Sequence, residues 1–213
     1  MNIKLFSAVL LASSIAHAAT PVDGWYTSVF GGYTYLPDNV SATVNGLTYN
    51  GTSYNNGYNV GGRLGYKSNP IRYEAEYTYL TASNNGFNVN GISQIGVLTG
   101  NSSGNLLMVN LYYDCPEMLP AISPYLGIGI GYAFLQTNLA SNVLNNEIFF
   151  SANESNFAYK ASLGLSYNFS ENYAATVTYQ YSAVSKASNF GRVFQAQMAN
   201  VGVVYRFDKG IYK

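Results

Sequence analysis

The feature that most constrains the fold is a strict two-residue alternation of side-chain character in residues 71–80, IRYEAEYTYL. Odd positions carry Ile, Tyr, Ala, Tyr and Tyr, whereas even positions up to Thr78 carry Arg72, Glu74 and Glu76. Successive side chains of a strand point to opposite faces, which predicts a strand with one apolar and one ionic face. Such a strand suits a soluble barrel or sandwich with the apolar face inward, or a membrane barrel with that face in lipid.

The same alternation recurs along the chain, at residues 57–67, 105–114, 124–136, 156–168, 173–182 and 195–207. Residues 25–36, WYTSVFGGYTYL, are an eighth predicted strand, but both of its faces are mixed and its phase stays open. Eight is the smallest strand number usual for outer-membrane barrels. At that size side chains fill the interior, which predicts a polar filling and no open channel.

Composition distinguishes a soluble protein, with the apolar faces inside, from a membrane barrel, with those faces in lipid. Only 9% of the residues are charged, against roughly 25% in soluble domains. The ionic faces of a soluble barrel would therefore hold too few charges to keep 21 tyrosines in solution. The chain also lacks a segment apolar and long enough for a membrane helix, since the longest candidate, residues 126–135, is interrupted by glycines. The remaining structure that satisfies every backbone group in lipid is a closed β-barrel.

The N-terminal segment has the features of a secretory signal peptide. Lys4 precedes an apolar run at residues 5–15, and Ala16-His17-Ala18 matches a small-x-small cleavage site. A retained membrane anchor is disfavoured, because spanning takes about 20 apolar residues. The predicted organisation is a signal peptide at 1–18, an outer-membrane barrel at 19–207 and a short periplasmic tail at 208–213.

The connections between the predicted strands alternate in length. Segments 68–70, 115–123 and 169–172 are short, and the long ones are 37–56, 81–104, 137–155 and 183–194. Short turns face the periplasm and long loops face outside in this class of barrel. The uncharged segment 81–104 is predicted to extend the barrel wall, with a ligand-binding loop as the alternative. Tyrosines near both ends of the strands predict two interfacial girdles: Tyr66, Tyr73, Tyr113, Tyr167 and Tyr173 near the turns, and Tyr35, Tyr58, Tyr79, Tyr132 and Tyr181 near the loops.

The ionic faces must point into the barrel, because a charge facing lipid at the midplane costs about 2 to 4 kcal/mol. In the hairpin of 57–67 and 71–80, a two-residue turn would pair Arg63 with Glu74 and a four-residue turn would pair it with Glu76. We favour the longer turn, because Pro70 lacks the amide hydrogen of a ladder residue. The predicted lumen ion-pair network consists of the cations Arg63, Lys67, Arg72, Lys160 and Arg206 and the carboxylates Glu74, Glu76 and Asp114.

Several of these segments together resemble a known family. GYNVGGRLGY followed by IRYEAEYTYL, NLYYD at 110–114 and PYLGIGIGYAF at 124–134 are similar to the small eight-stranded outer-membrane proteins of the opacity and rickettsial surface-antigen type, akin to the barrel half of OmpA. The resemblance implies an antiparallel up-and-down barrel that contacts outer-membrane lipid and lipopolysaccharide and is inserted by the barrel-assembly machinery. It implies a fold and an export route and does not define an activity.

The last strand, NVGVVYRF at 200–207, resembles the assembly signal of such proteins. The residues that carry this resemblance are Asn200, Gly202, Tyr205 and Phe207. The family pattern usually ends on its final aromatic residue, whereas DKGIYK continues past Phe207 here. This departure puts the strength of recognition by the assembly machinery in question.

Three functions are compared. The first is a non-enzymatic surface protein whose barrel anchors four long loops for adhesion, contact with a host surface or another extracellular ligand, or envelope structure. The alternative is a small porin-like channel, since Gly127, Gly129 and Gly131 thin one wall of the lumen. We favour tight packing of these glycines against Tyr112 and Tyr125, because barrels of this size are filled.

The third function, an enzyme, is disfavoured. The one histidine is His17, within the predicted signal peptide, so the usual proton shuttle of hydrolases is missing from the rest of the chain. The carboxylates beside Arg63 and Arg72 are more simply explained as ion-paired filling. No glycine-rich phosphate loop precedes a helix and no basic run suggests nucleic acid, so neither a cofactor nor a nucleic-acid partner is predicted.

Overall fold

The computed structural model describes residues 23–37, 41–44, 47–54, 57–89, 92–93, 98–116, 121–141, 148–185 and 194–207. The predicted signal peptide and the tail at 208–213 lie outside these residues. The strands of the described part are, in chain order, β1 Gly24–Tyr35, β2 Ser41–Val44, β3 Leu47–Tyr54, β4 Gly57–Ser68, β5 Ile71–Val89, β6 Ile92–Ser93, β7 Leu98–Asp114, β8 Ile122–Ser141, β9 Ile148–Asn168, β10 Tyr173–Val184 and β11 Phe194–Arg206. No helix in this part is long and apolar enough to cross a membrane.

Eight of the described strands close into an antiparallel barrel. Their order around the wall is β1, β4, β5, β7, β8, β9, β10 and β11, so each strand pairs with its successor along the barrel. β11 then returns to β1, where Val203 lies opposite Val29. Closure gives the backbone groups in the middle of the wall a partner on both sides, as lipid requires. The predicted eight-stranded up-and-down barrel is confirmed.

The two faces of the wall have opposite character, as predicted. Outward-facing aliphatic side chains are largely exposed, including Val29, Val109, Ile128, Val177 and Val201 at 61–66%. The inward ionic side chains of β4, β5 and β9 are buried, and Arg63, Glu74, Glu76 and Lys160 are at most 6% exposed. The apolar surface therefore forms the outside of the cylinder, where only lipid can cover it.

Closure of the barrel determines which side chains of β1 point inward, and the sequence pattern of the strand itself does not. Tyr26 and Phe30 point inward and are buried, whereas Trp25 and Val29 point outward. Thr27, on the outward side, donates through Oγ1 to the backbone carbonyl of Arg63 at 3.1 Å. Aromatic residues on both faces and a polar residue on the outer one hid the alternation in the sequence.

The hairpin of β4 and β5 has the favoured register but a shorter turn than predicted. Arg63 lies opposite Glu76, and the ladder continues to Ser68 opposite Ile71. The turn therefore consists of the two residues Asn69-Pro70. The predicted four-residue turn would have included Ser68 and Ile71 as well, but these two residues pair with each other. Pro70 lies in the turn as expected, and its carbonyl accepts the backbone N–H of Asp114 at 2.8 Å.

The two predicted girdles lie on the outer surface. Near the turns, Trp25 packs edge-on against Tyr66 at 5.5 Å between ring centroids, and Tyr205 lies 5.1 Å from Tyr173 and 5.3 Å from Phe207. Near the loops, Tyr132 contacts Phe157 at 6.3 Å. Of the predicted girdle tyrosines, eight are exposed on the outside, while Tyr79 and Tyr181 are half-buried.

The wall has unequal height around the barrel, which corrects the prediction of four long loops. β5, β7, β8 and β9 have 17–21 residues, whereas β1, β4, β10 and β11 have 12 or 13. Much of the predicted loops 81–104 and 137–155 is therefore strand, and the wall extension favoured for 81–104 is confirmed. Segment 37–56 contributes the β2–β3 hairpin, and β3 pairs with the outer half of β5.

Replacement of Val109 by Arg tests which face contacts lipid. Val109 is 66% exposed and lies midway along β7 between Tyr113 and Asn105, so the charge would sit near the bilayer midplane. We expect a loss of about 2–4 kcal/mol in the free energy of unfolding, measured by denaturant titration in phospholipid vesicles. Asn153→Arg is the matched control, because the exposed Asn153 lies beyond the girdle and should lose at most about 1 kcal/mol. Equal losses in the two variants would contradict the assignment of the outer face.

Candidate functional site

The centre of the lumen is organised around the carboxylate of Glu76 on β5. Its Oε2 accepts from Arg63 Nε at 2.8 Å, from Lys160 Nζ at 2.7 Å and from Asn110 Nδ2 at 3.2 Å. Its Oε1 accepts from Thr78 Oγ1 at 3.0 Å. Since the cations and the amide come from β4, β9 and β7, this one carboxylate ties four strands together across the lumen.

Glu74, one inward position closer to the turns, extends the cluster. Tyr26 on β1 donates its hydroxyl to Glu74 Oε1 at 2.5 Å. Arg63 Nε lies 3.6 Å from Oε2, and Arg72 Nη1 lies 3.5 Å from Oε1. The structure thus brings Arg63, Glu74 and Glu76 together, and the alternation that placed them on one face of two adjacent strands is the reason.

A second group of charges surrounds the turn end of the lumen. Asp114 Oδ2 lies 3.0 Å from Lys67 Nζ, and Asp114 Oδ1 accepts from Arg72 Nε at 2.7 Å. Arg206, predicted as a member of the ion-pair network, is buried nearby but bonds differently. It donates to Asn168 Oδ1 at 2.6 Å and to the Glu171 carbonyl at 3.3 Å, and no carboxylate of the described residues is within ion-pair distance of it.

Large aromatic side chains fill the lumen by lying over glycines of the next strand. Four such pairs stand directly opposite each other in the ladders: Tyr26–Gly65, Phe30–Gly61, Tyr112–Gly127 and Tyr125–Gly164. A Cβ added to any of these glycines would overlap the facing ring. These four glycines make room for rings, as expected for Gly127. Gly129 and Gly131 differ from the expectation, because Gly129 lies against the Asn110 side chain and Gly131 against the backbone of Leu107 and Met108.

The guanidinium groups pack on the same rings. The Arg63 carbon Cζ lies 4.1 Å from the centroid of the Phe30 ring. That of Arg72 lies between two tyrosines, 5.0 Å from Tyr112 and 4.6 Å from Tyr125. Cations held over aromatic faces gain a further electrostatic attraction where solvent is excluded. Sequence reasoning missed these contacts, since they join residues 33–53 positions apart across the lumen.

The loop end of the lumen is apolar, which corrects the prediction of a polar filling throughout. A buried cluster there consists of Leu36, Leu80, Ala82, Leu106, Met108, Ala133, Leu135, Ala158, Val184, Phe194, Ala196 and Met198. Most of these residues lie near the ends of the predicted strands or beyond them, because the strands of the structure are longer than the predicted ones. The described lumen therefore changes along its axis from ionic near the turns to apolar near the loops.

A polar layer lies between the ionic and apolar parts. Asn200 Nδ2 donates to Gln180 Oε1 at 2.8 Å, and Asn59 Nδ2 donates to Thr34 Oγ1 at 3.0 Å. Of the residues in the predicted assembly signal, Asn200 points into this layer, whereas Tyr205 lies on the outer face within contact of the Phe207 ring. Gly202 lies against Phe30 and Thr176. The role of these four residues in assembly stays a prediction.

The charged side chains of this interior neutralise one another, and together with the aromatic rings they fill the lumen. Glu74 and Glu76 each contact two cations, and Asp114 contacts Lys67 and shares Arg72 with Glu74. Within the described residues, no group of three or more His, Cys, Asp or Glu side chains is arranged to hold a metal ion. Buried charges that are each bonded to partners stabilise a single arrangement of strands, since breaking any pair leaves an uncompensated charge.

A closed eight-stranded cylinder with a lipid-compatible exterior and an ion-paired interior defines the class of outer-membrane β-barrel proteins. The chain belongs to the outer membrane protein beta-barrel domain family, which it matches over residues 5–207. The resemblance found in the sequence is thereby confirmed, and the protein is located in the bacterial outer membrane.

Solved structures with the same fold come from other bacteria. Neisserial surface protein A and OprG from Pseudomonas aeruginosa are each 16% identical to the chain with a TM-score of 0.56, covering 86% and 89% of this chain and 97% and 100% of theirs. The N-terminal barrel domain of Pseudomonas aeruginosa OprF is 15% identical with a TM-score of 0.50, covering 88% of this chain and 100% of its own. A comparison with curated proteins found no match. At these identities the likeness establishes the fold alone.

Removal of the central carboxylate tests the lumen network. Glu76→Gln leaves Arg63 and Lys160 buried without their shared counter-charge, and we expect a loss of about 3–5 kcal/mol in the free energy of unfolding. The double variant Glu76→Gln, Lys160→Met removes one cation as well and should be more stable than the sum of the two single changes predicts. Denaturant titration of the refolded proteins measures both. Effects that add within about 0.5 kcal/mol would show that the two groups do not interact.

Replacement of a glycine by alanine tests the aromatic packing. The Cβ of Gly127→Ala would overlap the Tyr112 ring, and we expect a loss of about 1–3 kcal/mol in the free energy of unfolding. Gly62→Ala is the control, because its Cβ would point outward with its nearest neighbour, the Ser28 carbonyl, 3.7 Å away. That change should alter stability by at most about 1 kcal/mol. The packing is refuted if both variants unfold at the same denaturant concentration.

Proposed function

We propose that the protein is a non-enzymatic surface protein, exported by the signal peptide at residues 1–18, that holds an extended extracellular sheet for adhesion to a host surface or another extracellular ligand. The observation that carries this proposal is the unequal height of the wall. β5, β7, β8 and β9 continue to pair with one another beyond the point where β4 and β10 end. The barrel is thus an anchor for an ordered projection.

The projection is a paired sheet. Beyond the closed part, Ser83 lies opposite Asn101 and Leu98 opposite Ser141, which joins β5 to β7 and β7 to β8. β3 takes the place of β4 beside the outer half of β5, with Tyr49 opposite Val89. Strand pairing orders these segments before any partner arrives, so binding would cost less conformational entropy than the ordering of free loops.

The projecting sheet also offers edges to a partner. β2 pairs with β3 on one side, and residues 148–156 of β9 pair with β8 on one side; on their other sides the described residues provide no strand. Unpaired N–H and C=O groups of an edge strand can bind an extended segment of another chain. Main-chain hydrogen bonds of this kind would supply affinity, and the side chains of the projection would supply specificity.

The outer surface becomes polar where the projection leaves the membrane. On β8 the outward positions change from Ile130 and Phe134 to Gln136. A groove of about 330 Å³ at this level is lined by Asn105, Phe134, Leu135, Gln136, Asn153, Glu154 and Ser155. Amide, hydroxyl and carboxylate groups suit contact with water, lipopolysaccharide sugars or a ligand, and they support a surface role for this part of the sheet.

The filled lumen favours this role over a porin-like channel. Ion pairs occupy the centre, aromatic rings lie over the glycines, and apolar side chains occupy the loop end. The same features favour a non-enzymatic role, because Glu74 and Glu76 are both buried against cations. Insertion by the barrel-assembly machinery through the last strand is part of the proposal.

Deletion of residues 84–100 tests the role of the projection. The change removes the outer half of β5 and the start of β7, and with them the strands that β3 and the end of β8 pair with. We expect bacteria that express this variant to bind cultured epithelial monolayers no better than bacteria without the protein. Deletion of residues 186–193, between β10 and β11, is the control and should retain binding.

Folding of both deletion variants is verified by the mobility shift between boiled and unboiled samples on detergent gels. The surface role fails if a folded variant that lacks residues 84–100 binds as the intact protein does. It also fails if the intact protein confers no binding at all.

A further inference from the structure

The buried charges of the described lumen do not balance evenly along its axis. The deep group is neutral, with two cations and two carboxylates: Arg63, Lys160, Glu74 and Glu76. The group at the turn end has three cations and one carboxylate: Lys67, Arg72, Arg206 and Asp114. An excess of two positive charges is therefore confined to the opening of the lumen beside the turns, which we call the turn-end mouth.

The three cations of the turn-end mouth come from β4, β5 and β11, and hydrogen bonds and ion pairs hold them in place. Lys67 and Arg72 stand opposite each other on β4 and β5, and Arg206 stands opposite Tyr26 on β1. All three are buried, at 6%, 9% and 7% exposure. Asn168 and the Glu171 carbonyl orient the Arg206 guanidinium, while Asp114 and Glu74 orient that of Arg72.

The turn-end mouth contains a buried donor that makes no hydrogen bond to the described residues. Arg72 Nη2 is a buried nitrogen without a hydrogen-bond partner. Arg206 makes its hydrogen bonds to uncharged acceptors, an amide and a backbone carbonyl. Burying a cation without a counter-charge is costly, so an anion that reached Arg206 and Arg72 from outside the wall would stabilise this arrangement.

We propose that the turn-end mouth binds a small tetrahedral oxyanion of the phosphate class between Arg72, Lys67 and Arg206. Guanidinium groups present planar pairs of donors that match phosphate oxygens, and lysine adds a compact charge. The excess of two positive charges corresponds to one doubly charged hydrogen phosphate, whereas a phospholipid phosphodiester carries a single negative charge. The short turns of such barrels face the periplasm, so the ligand is either free inorganic phosphate or the phosphate of a phospholipid headgroup at the rim. The site lies opposite the projecting sheet and does not depend on the proposed surface role.

Isothermal titration calorimetry tests the site with inorganic phosphate, using the full chain refolded in detergent micelles at constant ionic strength with chloride as the reference anion. We expect saturable binding of one phosphate that chloride does not reproduce. Arg206→Gln should weaken binding by about 10- to 100-fold, since it removes charged hydrogen bonds. Arg192→Gln, in the segment between β10 and β11, is the control and should bind as the unaltered protein does.

A variant that should bind phosphate more tightly distinguishes an effect on binding from a loss of folding. Asp114→Asn raises the excess charge of the turn-end mouth and releases Lys67 and Arg72, so phosphate affinity should increase. Both variants are first verified as folded by their mobility shift on detergent gels. Unchanged affinity in Arg206→Gln, or weaker binding in Asp114→Asn, would overturn the site.

Two further arms distinguish the sources of the anion. If a headgroup is the ligand, phosphatidylglycerol in phosphatidylcholine vesicles in phosphate-free buffer should raise the thermal unfolding midpoint of the unaltered protein but not that of Arg206→Gln. If phosphate binds in micelles and the vesicles have no such effect, the ligand is free phosphate. A protein that responds in neither arm has no such site. The proposal also fails if binding appears only in Glu117→Gln, Asp208→Asn, because the chain's own carboxylates would then neutralise the turn-end mouth.

Discussion

The exclusion of charge from hydrocarbon is the constraint on which the rest of the structure depends. A strand that crosses lipid must turn its ionic side chains inward, and a wall of eight strands then gathers them in a narrow lumen. Arg63, Lys160 and Glu76 meet there although they lie far apart in the chain. The same requirement closes the sheet, because an open edge in lipid would leave backbone groups without partners.

Packing around this ionic centre follows from its size. Eight strands leave little space, and the rings of Tyr26, Tyr112 and Tyr125 fit only where the facing residue is glycine. Of the three glycines that suggested a thin wall, Gly127 lies under the Tyr112 ring, whereas Gly129 lies against the Asn110 side chain and Gly131 against the backbone of Leu107 and Met108. A filled cylinder held by ion pairs across its lumen is suited to act as an anchor. We therefore expect the activity of such a protein at its ends, in the projecting sheet and at the turn-end mouth.

Much of the lumen site could be predicted from the local sequence pattern. The remainder could not, and each omission has a physical reason. Arg63 could be placed opposite Glu76 because parity and a proline in a short hairpin leave few registers. Arg206 could be placed inside, but its partners Asn168 and Glu171 belong to β9 and to the turn that precedes β10. Sequence reasoning missed the apolar cluster at the loop end because the predicted strands 71–80 and 124–136 stop short of the ends of β5 and β8.

The sequence by itself determined the eight-stranded membrane barrel and the inward direction of its charges, because period-two patterning and charge scarcity are local properties. Only the tertiary structure decided the phase of β1, the unequal height of the wall, the pairing of rings with glycines and the uneven distribution of charge along the lumen. These properties depend on which strands become neighbours and at what register. Closure of the sheet sets both, and no single segment encodes it.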